Sequence, residues 1–274
     1  MSESPVENVS LFSRVTSPIE RKGHLQQSLL FAELANLSYY DDVIVQPMAA
    51  SIGLTGCRFF ERDGAQAYLL SNDDDFIVVC RGTEPNEWND LKADVNAAAV
   101  VTETLGKVHK GFNTEVDDLW PMLEDALAGN DKPLWFCGHS LGGAMATICA
   151  GRCFLSELTA TPRALFTYGS PRVGDKQFVN FVKLSHTRWV NNNDIVTRVP
   201  PIWMGYRHCG TEMYLNSDGR LKKVNGWTRT RDRLRGFFMG LLNFKIDHFA
   251  DHSMDRYIEY IRAEFERSGE LSRQ

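Results

Sequence analysis

The sequence predicts an α/β fold, in which helices cover both faces of a mostly parallel sheet. Short apolar runs alternate with helical patterns of ten or more residues over much of the chain, as strands and crossover helices do in such folds. The run Phe76-Ile77-Val78-Val79-Cys80 is continuously apolar, which is typical of a central strand that is covered on both faces.

The first half of the chain predicts an arm, two helices and two strands. Residues 1–21 are polar with two prolines and predict a loose N-terminal arm, and leucines at helical spacing predict a helix over 22–40. Apolar patterns predict strands over 59–73 and 75–81, which are joined through the polar turn 72–74. An apolar stripe predicts a helix over 111–129, ended by Gly129-Asn130.

The second half repeats the alternation of strand and helix. Strands are predicted over 134–137, 164–168 and 188–191, and helices over 141–158, 174–185 and 253–266. Neither an internal repeat nor a low-complexity linker interrupts this pattern. We therefore expect residues 22–274 to form one domain.

Composition and charge exclude several classes of protein. The 274 residues are 43% hydrophobic and 24% charged, which excludes disorder and coiled coil. A net charge of −5 gives no electrostatic reason to expect nucleic acid as a partner. The six cysteines include no C-x-x-C pair, so we expect them to be reduced and predict no zinc site. The first ten residues lack the pattern of a secretory signal and no long apolar run follows, so we expect a cytoplasmic protein.

The strongest chemical signal is the segment Gly138-His139-Ser140-Leu141-Gly142-Gly143. A G-x-S-x-G pattern alone is weak, but here it follows an apolar strand and opens a helix rich in small residues. A nucleophile at a sharp strand-to-helix turn needs small neighbours and has helix N–H groups beside it. The context therefore predicts Ser140 as a nucleophile.

A nucleophilic serine needs an acid and a histidine, which follow it in this type of fold. Asp194 lies just past a predicted strand, where such a sheet places catalytic groups. Asp175 has the position of a helix cap and Asp218 lies in a turn sequence, so both are weaker candidates.

Three histidines follow Asp194 and compete for the role of the base. His208 precedes a predicted strand, whereas His248 and His252 come before the last helix, with His252 closer to it. A loop ahead of a helix can bring an imidazole over the end of the sheet, so His252 is the preferred base. The spacing of His248 and His252 also occurs in helical metal sites, but the glutamate of H-E-x-x-H is absent and no zinc is expected.

Five ordered segments make the chain resemble the class 3, or fungal-type, lipases. They are Arg81-Gly82-Thr83, Val108-His109-Lys110-Gly111-Phe112, the Ser140 motif, Thr167–Asp175 and Asn193-Asp194-Ile195-Val196. Asp251-His252-Ser253-Met254 with Tyr257 resembles the histidine segment of bacterial members. The resemblance covers about residues 25–262 and implies an α/β-hydrolase fold that hydrolyses acylglycerols or related carboxylic esters without a metal or cofactor.

The resemblance also assigns further roles by position. Ser140, Asp194 and His252 match the family's triad, and Thr83 and Leu141 match the donors of its oxyanion hole. The lid of the family corresponds to residues 85–101, where Trp88 would be an apolar anchor for substrate. An ordinary surface helix with a packed tryptophan is an equal alternative for this segment.

A basic and apolar segment near the C-terminus departs from this family pattern. Residues 229–246 combine arginines with the run Phe237–Phe244. Such a segment, like the lid, could contact a membrane or lipid-droplet surface. The alternative is that the run packs on the core while the charges remain solvated.

The sequence thus predicts a serine hydrolase of lipid esters, with other functions left open. One alternative is a carboxylesterase or acyltransferase that acts on non-lipid esters. Another is a non-catalytic lipase-like module for lipid binding or signalling, although binding alone needs no triad. The oligomeric state is not indicated by any pattern in the sequence.

Overall fold

A twisted sheet lies at the centre of the fold, and its strands alternate with helices along the chain. The computed structural model of the protein describes residues 10–83, 99–101, 106–159, 161–222 and 250–269. The strands of the main sheet are β1 (Gly56–Arg62), β2 (Ala65–Ser71), β3 (Phe76–Cys80), β6 (Leu134–His139), β7 (Pro162–Tyr168), β8 (His186–Asn191), β9 (Thr211–Leu215) and β10 (Leu221–Lys222). Two further short strands, β4 (Ala99–Val101) and β5 (Lys107–His109), pair with each other.

The order of strands in the main sheet is β1-β2-β3-β6-β7-β8-β9-β10. The five central strands, from β3 to β9, run parallel, and the pairs β1–β2, β2–β3 and β9–β10 are antiparallel. Parallel neighbours need crossover connections, and helices supply most of them. The prediction of a mostly parallel α/β sheet is therefore confirmed.

Helices cover the sheet on both faces. The α-helices are α1 (His24–Leu37), α2 (Asp42–Ser51), α3 (Lys110–Leu127), α4 (Leu141–Arg152), α5 (Lys176–Phe181) and α6 (Met254–Ser268). Side chains alternate between the faces along β3: Ile77 and Val79 pack with α1 and α6, whereas Val78 and Cys80 pack with α3 and α4. This arrangement explains why the strand is continuously apolar.

The single strand predicted over 59–73 is wrong, because this stretch belongs to the hairpin β1–β2. The turn consists of Asp63 and Gly64, which have φ values of 50° and 90°. Two positive φ values in a two-residue turn match the right-handed twist of a hairpin, and Asp-Gly is a preferred sequence for it. The dipeptide was a local signal that the apolar pattern around it obscured.

Other boundaries also differ from the predictions. The helix predicted over 141–158 ends at Arg152, and α2 lies where no helix was predicted. Residues 10–21 of the predicted loose arm pack against the core, where Val15 and Ile19 are buried. The carboxylate of Glu33 accepts hydrogen bonds from the N–H groups of Phe12 and Ser13, which holds this part of the arm on α1.

Two regions of interest lie largely outside the described residues. Of the predicted lid over 85–101, only strand β4 is among the described residues, and Trp88 is outside them. The basic and apolar segment 229–246 lies wholly outside them, as does His248. Among the described residues, no helix is long and apolar enough to cross a membrane.

Candidate active site

Ser140 occupies a sharp turn between β6 and α4. Its backbone angles are φ 59° and ψ −129°, an unfavourable conformation for any residue with a side chain. The surrounding hydrogen bonds hold this conformation, since the Ser140 N–H donates to the carbonyl of Tyr168 and the Ser140 carbonyl accepts from Gly143 N–H. The turn therefore presents the serine hydroxyl at the carboxyl end of the parallel strands.

The glycines around Ser140 allow three backbone segments to meet. A Cβ atom at Gly138 would lie 2.3 Å from the carbonyl oxygen of Gly142, and one at Gly142 would lie 2.2 Å from the carbonyl oxygen of Cys80. Real side chains do not approach a backbone this closely. The spacing of the motif is thus explained by close packing of β6, α4 and the end of β3.

The structure brings Ser140, His252 and Asp194 together in one hydrogen-bonded chain. His252 Nε2 lies 2.9 Å from Ser140 Oγ, and His252 Nδ1 lies 3.0 and 2.9 Å from the two carboxylate oxygens of Asp194. The three side chains are almost fully buried. A hydroxyl, an imidazole and a carboxylate in this order can transfer the serine proton to the imidazole, because the carboxylate stabilises the resulting cation.

Two further donors hold the Asp194 carboxylate. Val196 N–H donates to Oδ1 at 2.9 Å, and the hydroxyl of Tyr257 donates to Oδ2 at 2.7 Å. Tyr257 itself accepts from Asn191 N–H at 2.9 Å. Burial, together with the charge of Asp194, raises the pKa of Tyr257 well above its ordinary value. The phenol therefore remains a donor and fixes the orientation of the carboxylate.

His139 supports the backbone of the histidine loop. Its Nε2 lies 2.8 Å from the carbonyl oxygen of His252, which can only accept, so Nε2 carries the proton. Nδ1 then accepts from the hydroxyl of Tyr39 at 2.8 Å. Burial, and secondarily the neighbouring His252, lowers the pKa of His139 well below its ordinary value. The ring is therefore a neutral support, a role that the sequence motif did not reveal.

Gly169 lies directly beside the acid and the base. It has a φ of 57°, and a Cβ atom there would lie 2.7 Å from Asp194 Oδ2 and 2.9 Å from His252 Nδ1. Only glycine leaves room for the two side chains to meet at this position. The sequence selected the segment Thr167–Asp175 only by resemblance, and the close contacts at Gly169 now give a physical reason for a glycine in it.

Asp251 connects the loop of His252 to the loop of Asp194. Its carboxylate accepts from Asn192 Nδ2 at 3.1 Å and from Asn193 N–H at 3.3 Å, and its other oxygen accepts from Arg256 at 2.8 Å. These bonds span the two loops that carry the acid and the base. They reduce the freedom of His252 to leave Asp194.

The two predicted oxyanion donors lie next to the serine turn. Leu141 is the first residue of α4, where N–H groups have no partner within the helix and attract negative charge. Thr83 follows Gly82, at which a Cβ atom would lie 3.3 Å from Ser140 Cβ. The chain therefore passes beside Ser140 at the residue before Thr83.

The competing candidates have other roles in the structure. Asp175 caps α5 by accepting from Phe178 N–H at 2.9 Å, as its position predicted. Asp218 lies in the turn before β10, and His208 contacts the carbonyl of Thr197 at 2.7 Å. Within the described part of the chain, no group of three or more histidine, cysteine or acidic side chains is placed to hold a metal ion.

Comparison with known proteins shows which proteins the chain is similar to. Residues 77–204 match the model of the lipase (class 3) family. The chain is also 46% identical over 132 residues to secreted mono- and diacylglycerol lipase 1 of Fusarium solani, which is 47% of this chain and 32% of that protein. This segment of the chain is therefore similar to the class 3 lipases. The matched segment includes Ser140, Asp194 and Thr83.

Two further similar proteins extend the comparison. Toxin TseL of Vibrio cholerae serotype O1 is 29% identical over 248 residues, which are 73% of this chain and 36% of that protein. The triacylglyceride lipase structure from Rhizomucor miehei superposes with a TM-score of 0.59 at 27% identity, covering 71% of this chain and 80% of that one. The chain thus spans about a third of the length of toxin TseL and of the Fusarium solani lipase.

Proposed function

We propose that this protein is a serine carboxylester hydrolase that uses Ser140, His252 and Asp194. The observation that carries the proposal is the continuous hydrogen-bonded chain from the serine hydroxyl through the imidazole to the carboxylate. Ser140 also has a strained turn conformation at a helix N-terminus. Strain of this kind persists where the surrounding structure enforces it, and it concentrates at active sites.

In the acylation step, His252 Nε2 takes the hydroxyl proton while Ser140 Oγ attacks the ester carbonyl carbon. The carbonyl oxygen becomes an oxyanion, which the N–H groups of Leu141 and Thr83 would stabilise by about 2.7–4 kcal/mol each. The intermediate then expels the alcohol, and the proton held on Nε2 goes to its oxygen. An acyl group remains bonded to Ser140 Oγ.

In the second step, water releases the acid. His252 Nε2 takes a proton from the water, whose oxygen attacks the acyl carbon. The tetrahedral intermediate collapses, and the same proton returns to Ser140 Oγ. Throughout both steps Asp194, held by Tyr257 and Val196, stabilises the charged imidazole and keeps its Nδ1 proton in place.

Lipidic esters are the substrate class that the relatives support. The similar proteins include a mono- and diacylglycerol lipase and a triacylglyceride lipase. A series of p-nitrophenyl esters of increasing chain length, assayed below and above their solubility limits, tests this class. A rate that rises steeply above the limit supports a lipase, whereas saturation below the limit supports an esterase of soluble substrates.

The variant Ser140→Ala tests the assignment of the nucleophile. We expect it to lower kcat by at least about a thousandfold, because the serine and histidine act as one unit. Ser51→Ala is a matched control, since Ser51 is an exposed serine at the end of α2. Unchanged ester cleavage by a well-folded Ser140→Ala variant would refute the proposal. A wild-type protein without turnover on any ester would instead support a non-catalytic module.

A further inference from the structure

The loop that carries Asp194 ends in an exposed apolar tip. The tip consists of Ile202, Trp203 and Met204, which form one short 3₁₀ turn. Their side chains are 42%, 87% and 42% exposed, and Trp203 is the most exposed large apolar residue in the described part of the chain. Single exposed apolar residues are ordinary, but three in succession mark a surface that contacts an apolar partner.

Hydrogen bonds hold the chain segments on both sides of the tip. Arg172 is buried, and its guanidinium donates to the carbonyls of Arg198 and Pro200, the latter at 2.9 Å. On the other side of the tip, Arg207 N–H donates to the carbonyl of Gly174 at 2.7 Å. The two segments that flank the tip are therefore fixed while its side chains face solvent.

The chain segment that carries the tip is positively charged. Residues 195–211 contain no aspartate or glutamate, and Arg198 and Arg207 lie in exposed positions on either side of the apolar turn. The guanidinium of Arg207 donates to the carbonyls of Ile202 and Tyr206 at 2.9 and 2.8 Å, which places this cation beside the tip. An apolar turn with a cation beside it, in a segment without acidic residues, is complementary to a surface with anionic groups above an apolar layer.

The size of the tip favours a lipid surface over a protein partner. Three side chains with these exposures offer no more than about 400 Å² of contact, whereas a stable protein interface needs about 800 Å² per partner. A lipid layer has no such requirement, since a single tryptophan can enter the headgroup region.

We propose that the tip Ile202–Met204 inserts into anionic lipid surfaces and anchors the protein there. Because the tip and Asp194 share one loop, insertion brings the catalytic end of the sheet to the lipid. Lipid binding by the tip requires no turnover, whereas its benefit for catalysis rests on the proposed hydrolysis of lipid esters.

Flotation with vesicles tests this proposal on the whole 274-residue chain. The probes are vesicles of phosphatidylcholine alone and vesicles that also contain phosphatidylglycerol. We expect wild type to bind the mixed vesicles more tightly, and Trp203→Ser to lower its partition coefficient by about tenfold or more. Added salt should weaken binding of the wild type. The matched control is Val43→Ser, because Val43 is 74% exposed on α2 and should leave binding unchanged.

Emission quenching by brominated phosphatidylcholine locates the contact. The chain has six tryptophans, so the signal of Trp203 is the difference between wild type and Trp203→Phe. We expect Trp203→Phe to bind mixed vesicles and to lose part of the quenching. Cleavage of a soluble short-chain ester by Trp203→Ser should equal that of the wild type, which separates this proposal from the proposed function.

Several results would overturn the proposal. The first is that the wild type does not bind mixed vesicles. The second is that Trp203→Ser binds them as well as the wild type does, and the third is that quenching is unchanged in Trp203→Phe. Sedimentation that shows self-association lost in Trp203→Ser, without any change in vesicle binding, would assign the tip to a second copy of the chain instead. Loss of soluble ester cleavage in Trp203→Ser would assign the tip a structural role.

Discussion

Substitution of Gly169 by alanine should separate catalysis from stability. The methyl group would lie 2.7 Å from Asp194 Oδ2 and 2.9 Å from His252 Nδ1. Since ordinary contacts begin near 3.4 Å, the acid and the base must move by roughly 0.7 Å, and a misplacement near 1 Å can cost about a hundredfold in rate. We therefore expect kcat to fall by about 10- to 100-fold.

The same substitution also has a backbone cost that is unrelated to the site. Gly169 has a φ of 57°, and a residue with a side chain loses about 1–2 kcal/mol in such a conformation. Gly129→Ala is the matched control, because Gly129 has a φ of 74° and a Cβ atom there would have no neighbour within 4 Å. We expect Gly169→Ala to lose at least as much free energy of unfolding as Gly129→Ala, and only Gly169→Ala to lose activity.

The assay combines two measurements on each variant. Urea denaturation gives the free energy of unfolding, and hydrolysis of a soluble p-nitrophenyl ester gives kcat and KM. A Gly169→Ala variant with kcat within about twofold of the wild type, far less than the 10²-fold that misplacement can cause, would refute the argument. Equal losses of kcat in both variants would show that general destabilisation, and not the position of the triad, explains the effect.

Two further predictions follow from the buried polar groups. Tyr257→Phe removes the phenol donor to the Asp194 carboxylate. We therefore expect a loss of about 2–3 kcal/mol in the free energy of unfolding and a fall of about tenfold in kcat, measured by the same two assays. An unchanged kcat would contradict a positioning role for Tyr257. Burial lowers the pKa of His139, His186 and His208, that of His186 to about 3. Below about pH 6.5 the unfolded chain binds protons that the folded chain does not, so each histidine lowers stability by up to about 1.4 kcal/mol per pH unit. Urea denaturation at pH 7 and pH 5 measures this loss. His208→Gln should reduce the slope of stability against pH by the share of one histidine. Equal free energies of unfolding at both pH values would contradict the prediction.

The position of Ser140 at a strand-to-helix turn could be predicted because its signal is local. The strand, the turn and the helix that present it are contiguous in the chain, and the glycines that allow the turn lie within a few residues of it. The prediction of Asp194 and His252 was less direct, since the two residues lie 58 positions apart in the chain. Their selection depended on the order of residues that this type of fold imposes and on the resemblance to a family.

The supporting residues could not be predicted in the same way. His139 and Tyr257 act through hydrogen bonds to atoms that are distant in sequence, and an apolar or motif pattern carries no information on such partners. The same holds for Val15 and Ile19, which a polar, proline-containing stretch conceals although both side chains are buried in the core. The turn at Asp63-Gly64, by contrast, was a local signal that the sequence contained.

The sequence by itself determined the fold class, the family resemblance and the residue types of a serine hydrolase. Periodicity, motif spacing and chain order are all properties of the linear sequence, so they can be read from it directly. Only the tertiary structure decided that Gly169 must lack a side chain, that His139 is a neutral support and that an apolar turn stays exposed between two arginines. Each of these depends on distances between segments that are far apart in the chain. Such distances follow from packing the helices on the sheet, and no local pattern specifies them.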